Sequence, residues 1–418
     1  MPTPTKKPSY VVRPDTAVLT RGFDPRLSVG SVRPAVFRSS TYVFRTPESA
    51  ERAFQIALGK VKPEAGEDVD LIYSRLSHPN SEIFEDQVVP LEPEAQKAAV
   101  FNTGMAAIST AFLTYCPPGS SFVYTNPVYG GTHHLIHQIL IPLGIHALPV
   151  AAGDTQGLRT AIRKTKNLRM VFVETPANPT LTMSDIDAAV EEARKHAEHP
   201  LVAVDNTFMG PAFQHPIKLG ADLSIYSATK YLSGYSDMTG GVILAKNPEL
   251  IAQLQGTRAV LGNILQPDEC WMLSSRLPMV NHRMNRQSKN AQRIAESLQG
   301  HPKIGTIHYP SLFTDPEQIR IRDAQCDFPG ALISIDLKGG KRAAFETLRA
   351  LEIFKNAVSL GGVESLVCHP GTTTHSEMTP EGLVAAGITD GLIRFSIGVE
   401  AWEDLLQDIQ QAMNFSDL

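Results

Sequence analysis

Residues 222–230 read Asp-Leu-Ser-Ile-Tyr-Ser-Ala-Thr-Lys, a short apolar run followed by small residues and a lysine. The apolar and β-branched composition of 222–226 predicts a buried strand. Hydroxyl groups just past the end of a strand, here those of Ser227 and Thr229, can donate hydrogen bonds to a phosphate. The amine of Lys230 can form a Schiff base with an aldehyde. An exposed lysine beside Ser and Thr is the alternative that this stretch alone leaves open.

A second apolar run, at 201–204, delivers Asp205 to the carboxyl end of a predicted parallel strand. Open α/β sheets bind their ligands at that edge. A carboxylate there can pair with the protonated pyridine nitrogen of pyridoxal phosphate (PLP) and keep the ring able to accept electrons from a breaking bond. The alternative is that Asp205 caps the next turn. Because Lys230 lies one βαβ unit away, the cofactor interpretation is favoured.

A third strand is predicted at 170–174, and it runs into the segment 175–179, which reads Thr-Pro-Ala-Asn-Pro. The two prolines exclude a helix there and place Asn178 on a loop at the same edge of the sheet. The side-chain amide of Asn178 can therefore hydrogen-bond the ring hydroxyl of PLP.

A fourth strand, predicted at 98–101, precedes Gly104 and Met105, after which the composition and spacing are helical. The free amides and the positive dipole end of a helix N-terminus suit a phosphate dianion. Without the other three segments this one would indicate only an ordinary turn between a strand and a helix.

Taken together, these segments resemble the Cys/Met-metabolism family of PLP enzymes, which includes cystathionine γ-synthase, cystathionine γ-lyase, methionine γ-lyase and O-acylhomoserine sulfhydrylase. The resemblance covers nearly the whole chain. The family's signatures occur in order as Tyr73-Ser74-Arg75, Thr103-Gly104-Met105, Tyr129-Gly130-Gly131-Thr132, Glu174-Thr175-Pro176-Ala177-Asn178-Pro179, Val204-Asp205-Asn206-Thr207-Phe208, Ser227-Ala228-Thr229-Lys230, Ser359-Leu360-Gly361-Gly362 and Arg394-Phe395-Ser396.

The resemblance implies an α/β fold of the aspartate-aminotransferase type (fold type I), with a mostly parallel seven-stranded sheet and a smaller C-terminal α+β domain. Strand-like and helical runs alternate through 71–270, as in a series of βαβ units. We therefore expect a PLP-binding large domain at 71–270 and a small domain at 271–418. Residues 1–70, rich in Pro, Thr and Arg, are expected to form an arm that contacts a partner subunit.

The resemblance also implies roles for the candidate site residues. Lys230 binds PLP covalently, Asp205 pairs with the pyridine nitrogen, and Tyr129 stacks on the ring. In the family, the residues that match Tyr73 and Arg75 reach the phosphate from a neighbouring subunit. This implies a catalytic dimer, two of which form a homotetramer. The remaining phosphate ligands are expected to be Gly104, Met105, Ser227 and Thr229.

The substrate is expected to bind beside the cofactor. Arg394 precedes a strand-like run, and its planar guanidinium suits the α-carboxylate of an amino acid, the role that the resemblance implies for it. An exposed arginine is the alternative. Tyr129 lies between Pro127 and two glycines, on a loop where the backbone can approach a ligand closely. Its phenol can exchange a proton with a leaving group.

The composition argues against several classes of protein. With 418 residues, 42% hydrophobic and 19% charged residues and a net charge of -5, the chain gives no sign of nucleic-acid binding. The N-terminus has no long apolar run, so neither a secretory signal nor a membrane helix is predicted, and we expect a cytoplasmic protein. The four cysteines are scattered and form no CxxC pair, which argues against a disulfide framework and a zinc ribbon.

A cluster of three histidines offers an alternative kind of site, one for a metal ion. The spacing of His133 and His137 can place two imidazoles on one face of a helix, where they could bind a metal. No glutamate lies within this motif. The alternative is that these two residues and His134 are partly exposed helix residues, which can also line a substrate entrance beside Tyr129, and we expect no metal site.

A protein that binds ligand without catalysis is a further alternative, against which the intact candidate catalytic residues argue.

A few positions distinguish the branches of the family. In the γ-synthase and cystathionine γ-lyase branch a glutamate that can attract a distal ammonium usually precedes the Ser-Leu-Gly-Gly motif, but here Val358 precedes Ser359. Methionine γ-lyases and sulfhydrylases commonly have an apolar residue there. Methionine γ-lyases usually have a cysteine, however, where this chain has Gly131. The segment 77–80, Ser-His-Pro-Asn, also departs from the family's Asn-Pro-Thr pattern.

These features predict PLP-dependent γ-elimination on an amino acid with a γ leaving group, methionine-like or a homoserine derivative such as canavanine. The amine of Lys230 is expected to move protons between Cα and Cβ, while Arg394, Ser359 and Val358 contact the substrate. γ-Replacement on an O-acylhomoserine, of the cystathionine γ-synthase or O-acetylhomoserine sulfhydrylase type, shares the first half of this reaction and is the alternative.

Overall fold

The computed structural model describes residues 12–64 and 66–415. Of the predicted arm at 1–70, residues 1–11 and Ala65 lie outside the described residues. The rest of the arm contains two helices, α1 (Pro14–Thr20) and α2 (Pro47–Ala57), with a short turn of 3-10 helix between them.

Seven strands form the large sheet: β1 (Lys97–Phe101), β2 (Ser121–Asn126), β3 (His146–Ala151), β4 (Leu168–Glu174), β5 (Leu201–Asp205), β6 (Leu223–Tyr226) and β7 (Gly241–Ala245). They lie in the order β1-β7-β6-β5-β4-β2-β3. All neighbours are parallel except the two pairs that include β7. The predicted mostly parallel sheet is confirmed, and the four apolar runs singled out in the sequence are β1, β4, β5 and β6.

Helices cover both faces of this sheet: α3 (Pro79–Val88), α4 (Gly104–Tyr115), α5 (Gly130–Leu135), α6 (Thr155–Lys164), α7 (Ile186–Lys195) and α8 (Pro248–Leu261). Successive residues of one strand point to opposite faces. Phe172 of β4 packs in the cluster that contains Phe112 of α4, whereas Val173 packs in the cluster that contains Ile162 of α6. A sheet covered in this way is apolar along both faces, which explains the continuous apolar runs in the sequence.

The C-terminal part forms a smaller α+β unit, as predicted. Its strands are β8 (Ile304–His308), β9 (Leu332–Leu337), β10 (Lys355–Asn356), β11 (Leu366–Cys368) and β12 (Leu392–Ser396), in the order β10-β11-β12-β9-β8. Its helices, with those that lead into it, are α9 (Pro267–Arg276), α10 (Val280–Ser297), α11 (Pro316–Gln325), α12 (Gly340–Ala350), α13 (Pro380–Ala385) and α14 (Trp402–Phe415). Ile294 of α10, Ala344 of α12 and Ile409 of α14 pack against one face of this sheet.

The position of Arg394 differs from the prediction. It does not precede a strand but lies in the middle of β12, opposite Ser334 of β9 and Cys368 of β11. Its neighbours Ile393 and Phe395 belong to the apolar core of the small unit. Because side chains alternate along a strand, the guanidinium occupies the other face.

The two sheets meet along the loop that follows β4. Ser334 of β9 donates a hydrogen bond from its hydroxyl to the carbonyl of Pro179, at 2.6 Å. Arg394 reaches the neighbouring Asn178. Among the described residues no helix is both long and apolar enough to cross a bilayer.

Candidate active site

A cavity of about 270 Å³ lies where the carboxyl ends of β4, β5 and β6 face the small sheet. This is the edge at which open α/β sheets bind ligands. All the predicted site residues line it except Tyr73 and Arg75. Its lining consists of Thr103, Gly104, Met105, Ile108, Tyr129, Glu174, Pro176, Asn178, Asp205, Thr207, Phe208, Ser227, Thr229, Lys230, Thr239, Val358, Ser359, Leu360, Thr374 and Arg394.

Lys230 follows β6 on a turn closed by a hydrogen bond from its own amide to the Ser227 carbonyl, at 3.0 Å. Its Nζ donates to the hydroxyl of Ser359 at 2.7 Å. Burial, and then the positive charge of Arg394, lower the pKa of Lys230 to about 8. Removal of water disfavours the charged ammonium, so a larger fraction of this lysine is a free, nucleophilic amine at neutral pH than for an exposed lysine.

Ser359 connects the amine to the guanidinium. Its carbonyl accepts a hydrogen bond from Nη2 of Arg394 at 3.0 Å. The backbone of Ser359 has φ 109°, a conformation that residues other than glycine rarely adopt. The turn continues through Gly361, whose amide donates to the hydroxyl of Ser396 at the end of β12, at 2.9 Å. A strained residue held by its surroundings at a cavity wall is typical of a functional position.

Arg394 is buried and carries one further contact, from Nη1 to Oδ1 of Asn178 at 2.8 Å. Its Nε has no hydrogen-bond partner among the described residues. A buried guanidinium that faces a cavity and lacks a carboxylate partner suits an incoming carboxylate. Because Oδ1 of Asn178 faces Arg394, the amide nitrogen is the end that can donate to the ring hydroxyl of a cofactor.

Two buried acids lie side by side at the ends of neighbouring strands. Asp205 and Glu174 are direct partners in the register of β5 and β4. Thr207 donates to Oδ1 of Asp205 from both its amide, at 3.0 Å, and its hydroxyl, at 2.6 Å. Burial raises the pKa of both acids, and the charge of Asp205 raises that of Glu174 further. This pair would stabilise a nearby cation, such as the protonated pyridine nitrogen of PLP.

Another part of the cavity lining suits a phosphate. Gly104 and Met105 form the first turn of α4, after Thr103, whose hydroxyl accepts a hydrogen bond from the amide of Ala106 at 2.9 Å. A Cβ on Gly104 would lie 2.8 Å from Cβ of Ser227, so only glycine allows the helix end to come this close to the turn after β6. The helix N-terminus and the Ser227 hydroxyl thus converge on one region.

Tyr129 immediately precedes α5, and its amide donates to Oε2 of Glu174 at 2.8 Å. The ring packs over Gly131, where a Cβ would lie 2.7 Å from Cε1 of Tyr129. A side chain at position 131 would therefore displace the tyrosine. A Cβ on Gly130 would overlap the carbonyl oxygen of Thr374, which brings the loop before α13 against the same turn.

Tyr73 and Arg75 do not enter the cavity of their own chain. The Arg75 guanidinium lies 5.7 Å from the centre of the Tyr73 ring, and its Nη1 donates to the carbonyl of Ala259 at 2.6 Å. Tyr73 is 42% exposed. Their expected role at the phosphate of a neighbouring subunit stays a prediction.

The segment 77–80 proves to be structural. His78 caps α3, because its Nδ1 accepts a hydrogen bond from the amide of Ser81 at 3.1 Å. Its Nε2 lies 2.9 Å from the carbonyl of Leu265 and donates to it. His78 therefore supplies the side-chain acceptor that caps the N-terminus of α3.

The three histidines after Tyr129 are not among the residues that line the cavity. The rings of His133 and His137 are 4.2 Å apart, and Nδ1 of His134 lies 3.0 Å from Oε2 of Glu377. Within residues 12–64 and 66–415, no group of three or more His, Cys, Asp or Glu residues could hold a metal ion. The cysteines, Cys116, Cys270, Cys326 and Cys368, are all free thiols.

The residues present fit PLP. One cavity is lined by a buried amine that could bind the aldehyde, a pair of acids for a ring cation, a helix N-terminus with a glycine for the phosphate, and a tyrosine that could face the ring. Glu174 was not predicted as a site residue. The signal was available, because Glu174 ends β4 just as Asp205 ends β5, and acids at neighbouring strand ends must meet.

Comparison with known proteins agrees with this geometry. The sequence profile of the Cys/Met metabolism PLP-dependent enzymes matches residues 15–414. The chain is 37% identical over 402 residues to L-methionine gamma-lyase of Pseudomonas putida, covering 96% of this chain and 97% of that protein. It is 37% identical over 360 residues to cystathionine gamma-lyase of Bacillus subtilis (strain 168), covering 86% and 93%. The solved structure of cystathionine gamma synthase from Xanthomonas oryzae pv. oryzae in complex with cystathionine is similar with a TM-score of 0.87 and 32% identity, covering 98% of this chain and 99% of that chain.

Proposed function

This chain belongs to the Cys/Met metabolism family of PLP-dependent enzymes, and on that premise we propose that it eliminates an uncharged γ-substituent from a methionine-like amino acid or a homoserine derivative. The family and the named relatives make it a PLP-dependent enzyme of γ-elimination or γ-replacement. The finer choice, elimination from a substrate of this kind, is our proposal.

The observation that carries the proposal is the position of charge in the cavity. Among the described residues that line it, the carboxylates are Glu174 and Asp205, and both are buried at the end next to the large sheet. The opposite wall contains Val358, which is 57% exposed. A distal ammonium, as in cystathionine, would find no acid at that wall, whereas a thioether would lose nothing there. Canavanine remains within the class, because an oxyguanidino group is a weak base.

Each residue has a defined task in this reaction. Arg394, oriented by Asn178 and by the Ser359 carbonyl, binds the α-carboxylate of the substrate. PLP, when bound, acts as an electron sink for the bonds broken at Cα and Cβ. Lys230, once its amine is free, moves protons between these carbons, and the hydroxyl of Ser359 orients it. Tyr129 is the residue we assign to proton exchange with the γ leaving group.

γ-Replacement on an O-acylhomoserine is the second candidate, because it shares every task up to departure of the leaving group. The two differ in what happens next, hydrolysis to a 2-oxo acid and ammonia or capture of an added nucleophile. The apolar Val358 suits both, since the acyl group of such a substrate can be uncharged.

The deciding experiment supplies methionine, canavanine, cystathionine and O-acetylhomoserine separately, with and without sulfide. The products measured are 2-oxobutanoate, homoserine and homocysteine, the thiol that γ-replacement by sulfide forms. We expect rapid 2-oxobutanoate formation from methionine without any thiol acceptor. Turnover that occurs only on O-acetylhomoserine with sulfide present would assign the chain to γ-replacement instead.

We also propose that the enzyme works as a cytoplasmic homotetramer of two catalytic dimers. Tyr73 and Arg75 lie outside the cavity of their own chain, which supports a site completed by a neighbour. The free thiols suit a reducing compartment. Mixing inactive Arg75→Ala and Lys230→Ala subunits tests the shared site, since a hybrid dimer then contains one site without either change. Sedimentation analysis measures the assembly, and failure of the mixture to regain activity would contradict the shared site.

A further inference from the structure

We propose that Glu174 is a positioning residue that fixes Tyr129 and Asn178 relative to each other, through one backbone hydrogen bond at each of its carboxylate oxygens. Oε2 accepts from the amide of Tyr129 at 2.8 Å, and Oε1 accepts from the amide of Asn178 at 3.4 Å. The two residues are on separate loops, one before α5 and one after β4. Glu174 is the side chain that holds both.

The backbone of Glu174 is held rigidly by the neighbouring strands. Glu174 is the last residue of β4, and its amide donates to the hydroxyl of Thr125 on the neighbouring β2 at 3.0 Å. On the other side Glu174 is paired in register with Asp205 of β5. The carboxyl group therefore extends from the fixed end of an interior strand, and Glu174 is 5% exposed.

The two held residues continue into the rest of the site. Tyr129 places its ring over Gly131 at the cavity wall. Oδ1 of Asn178 receives Arg394, whose guanidinium also donates to the carbonyl of Ser359. The hydroxyl of Ser359 receives the Lys230 amine. A displacement at Glu174 is thus transmitted to the tyrosine on one side and to the arginine and lysine on the other.

A carboxylate is the group that this position requires. Two amide donors approach two different oxygens, so both acceptors are used. Glutamine has the same size but one acceptor, and its NH₂ would face an amide donor. Aspartate keeps both oxygens but is one methylene shorter. Glu174 lies beside a second acid, Asp205, an arrangement that is costly without a nearby cation and is typical of functional sites.

The test compares Glu174→Gln with Glu92→Gln. Glu92 is also a buried glutamate, and it accepts hydrogen bonds from the Ile217 amide, the Ser224 hydroxyl and the Tyr226 hydroxyl, none of which lines the cavity. The inference rests on the proposed function only in treating Tyr129 and Asn178 as cofactor contacts. The readouts are therefore hydrogen exchange in protein freed of PLP, PLP affinity, and the visible circular dichroism of bound PLP, none of which needs a substrate.

In Glu174→Gln we expect amide exchange at Tyr129 or Asn178 to accelerate on the order of threefold to tenfold, the value of one hydrogen bond to an acid whose raised pKa leaves it partly protonated, with β4 unaffected. PLP affinity should weaken by a similar factor, and the visible dichroism should change. Glu92→Gln should leave all three unchanged. Glu174→Asp, which keeps the charge, should show a smaller loss and serves if the glutamine variant does not fold.

Two outcomes would overturn the proposal. The first is unchanged exchange at both amides together with unchanged PLP affinity in Glu174→Gln and Glu174→Asp. The second is an equal loss in Glu92→Gln, which would make the effect one of any buried carboxylate. Neither depends on which amino acid the enzyme consumes, so failure of the proposed reaction is detected separately by the substrate assay.

Discussion

Lys230 and Ser359 are joined by a hydrogen bond of 2.7 Å between Nζ and the hydroxyl, although one follows a strand of the large sheet and the other belongs to the small unit. The carbonyl of the same serine binds Arg394. The amine that would bind the cofactor and the guanidinium that would bind the substrate therefore share one partner. A change at either group is expected to alter the other.

The first prediction concerns the pH dependence of cofactor uptake. Only the uncharged amine of Lys230 adds to an aldehyde, and its pKa is lowered to about 8. The rate at which protein freed of PLP takes it up should rise about tenfold per pH unit below 8 and level off above it. Stopped-flow absorbance at a series of pH values measures this. A rate that still rises steeply above pH ~9 would show an unperturbed lysine. Lys230→Ala is the control that should form no covalent adduct.

The second prediction concerns Arg394→Ala. Loss of the carboxylate contact should weaken substrate binding by about 1.5–3 kcal/mol, the value of a charge-assisted hydrogen bond. Because the charge of Arg394 also lowers the pKa of Lys230, the uptake profile should move to higher pH in this variant. Steady-state kinetics and the stopped-flow profile measure the two effects.

The Arg394→Lys variant separates the effect on substrate binding from the effect on the pH profile of PLP uptake. It keeps the charge but not the planar fork, so binding should stay weak while the profile returns towards that of the wild type. An alanine variant with unchanged KM for the substrate would contradict the carboxylate role.

The third prediction concerns specificity. Val358→Glu places an acid at the exposed cavity wall, where it can attract a distal ammonium. We expect kcat/KM for cystathionine to improve relative to methionine by up to about 1 kcal/mol, since a partly exposed ion pair contributes little more. Val358→Gln, of the same shape without charge, is the control. Equal effects of both variants would show that shape, and not charge, sets the preference.

The fourth prediction concerns acid stability. The cap of α3 needs an uncharged imidazole, because Nδ1 of His78 accepts from the Ser81 amide while Nε2 donates to Leu265. Burial lowers the pKa of His78 below its usual value of 6.5. The unfolded chain therefore binds this proton first, so the contribution of His78 is complete above pH 6.5 and is lost as the pH falls towards the folded pKa.

Denaturant unfolding at several pH values measures this contribution. His78→Ala should cost about 1–2 kcal/mol near neutral pH, for the lost cap and the lost contact to Leu265. His78→Asn keeps a capping acceptor and should cost less, without the acid dependence. The charged groups that face His78 are the paired Glu85 and Arg258. An unchanged acid profile in His78→Asn would place the sensitivity in another group.

Much of the site was predictable because its residues stand at strand ends. The runs at 170–174, 201–204 and 222–226 are mainly apolar, and parallel strands bring their carboxyl ends together, so Asn178, Asp205 and Lys230 had to meet. Arg394 was misplaced for a related reason. An arginine between apolar residues interrupts the run that indicates a strand, although alternation lets it point away from the core.

Other features depend on contacts that no local pattern contains. The acceptor role of Glu174 requires two loops that converge on it from different parts of the chain. The sequence gives only a weak sign that His78 caps a helix. Proline is a common first residue of a helix, so Pro79 indicates a helix start, but histidine is an uncommon capping residue. If the active site is shared between subunits, the position of Tyr73 and Arg75 in one chain does not show which site they complete.

The contact between Gly130 and Thr374 has a consequence for attempts to redesign the enzyme. A methyl group at position 130 would collide with main-chain atoms, which cannot rotate aside as a flexible side chain does. The spacing between the turn that contains Gly130 and the loop that contains Thr374 is thus set by backbone, and libraries that vary position 130 should yield mainly misfolded or inactive protein. Variation at Val358, whose side chain is largely free, offers the easier route to new substrates.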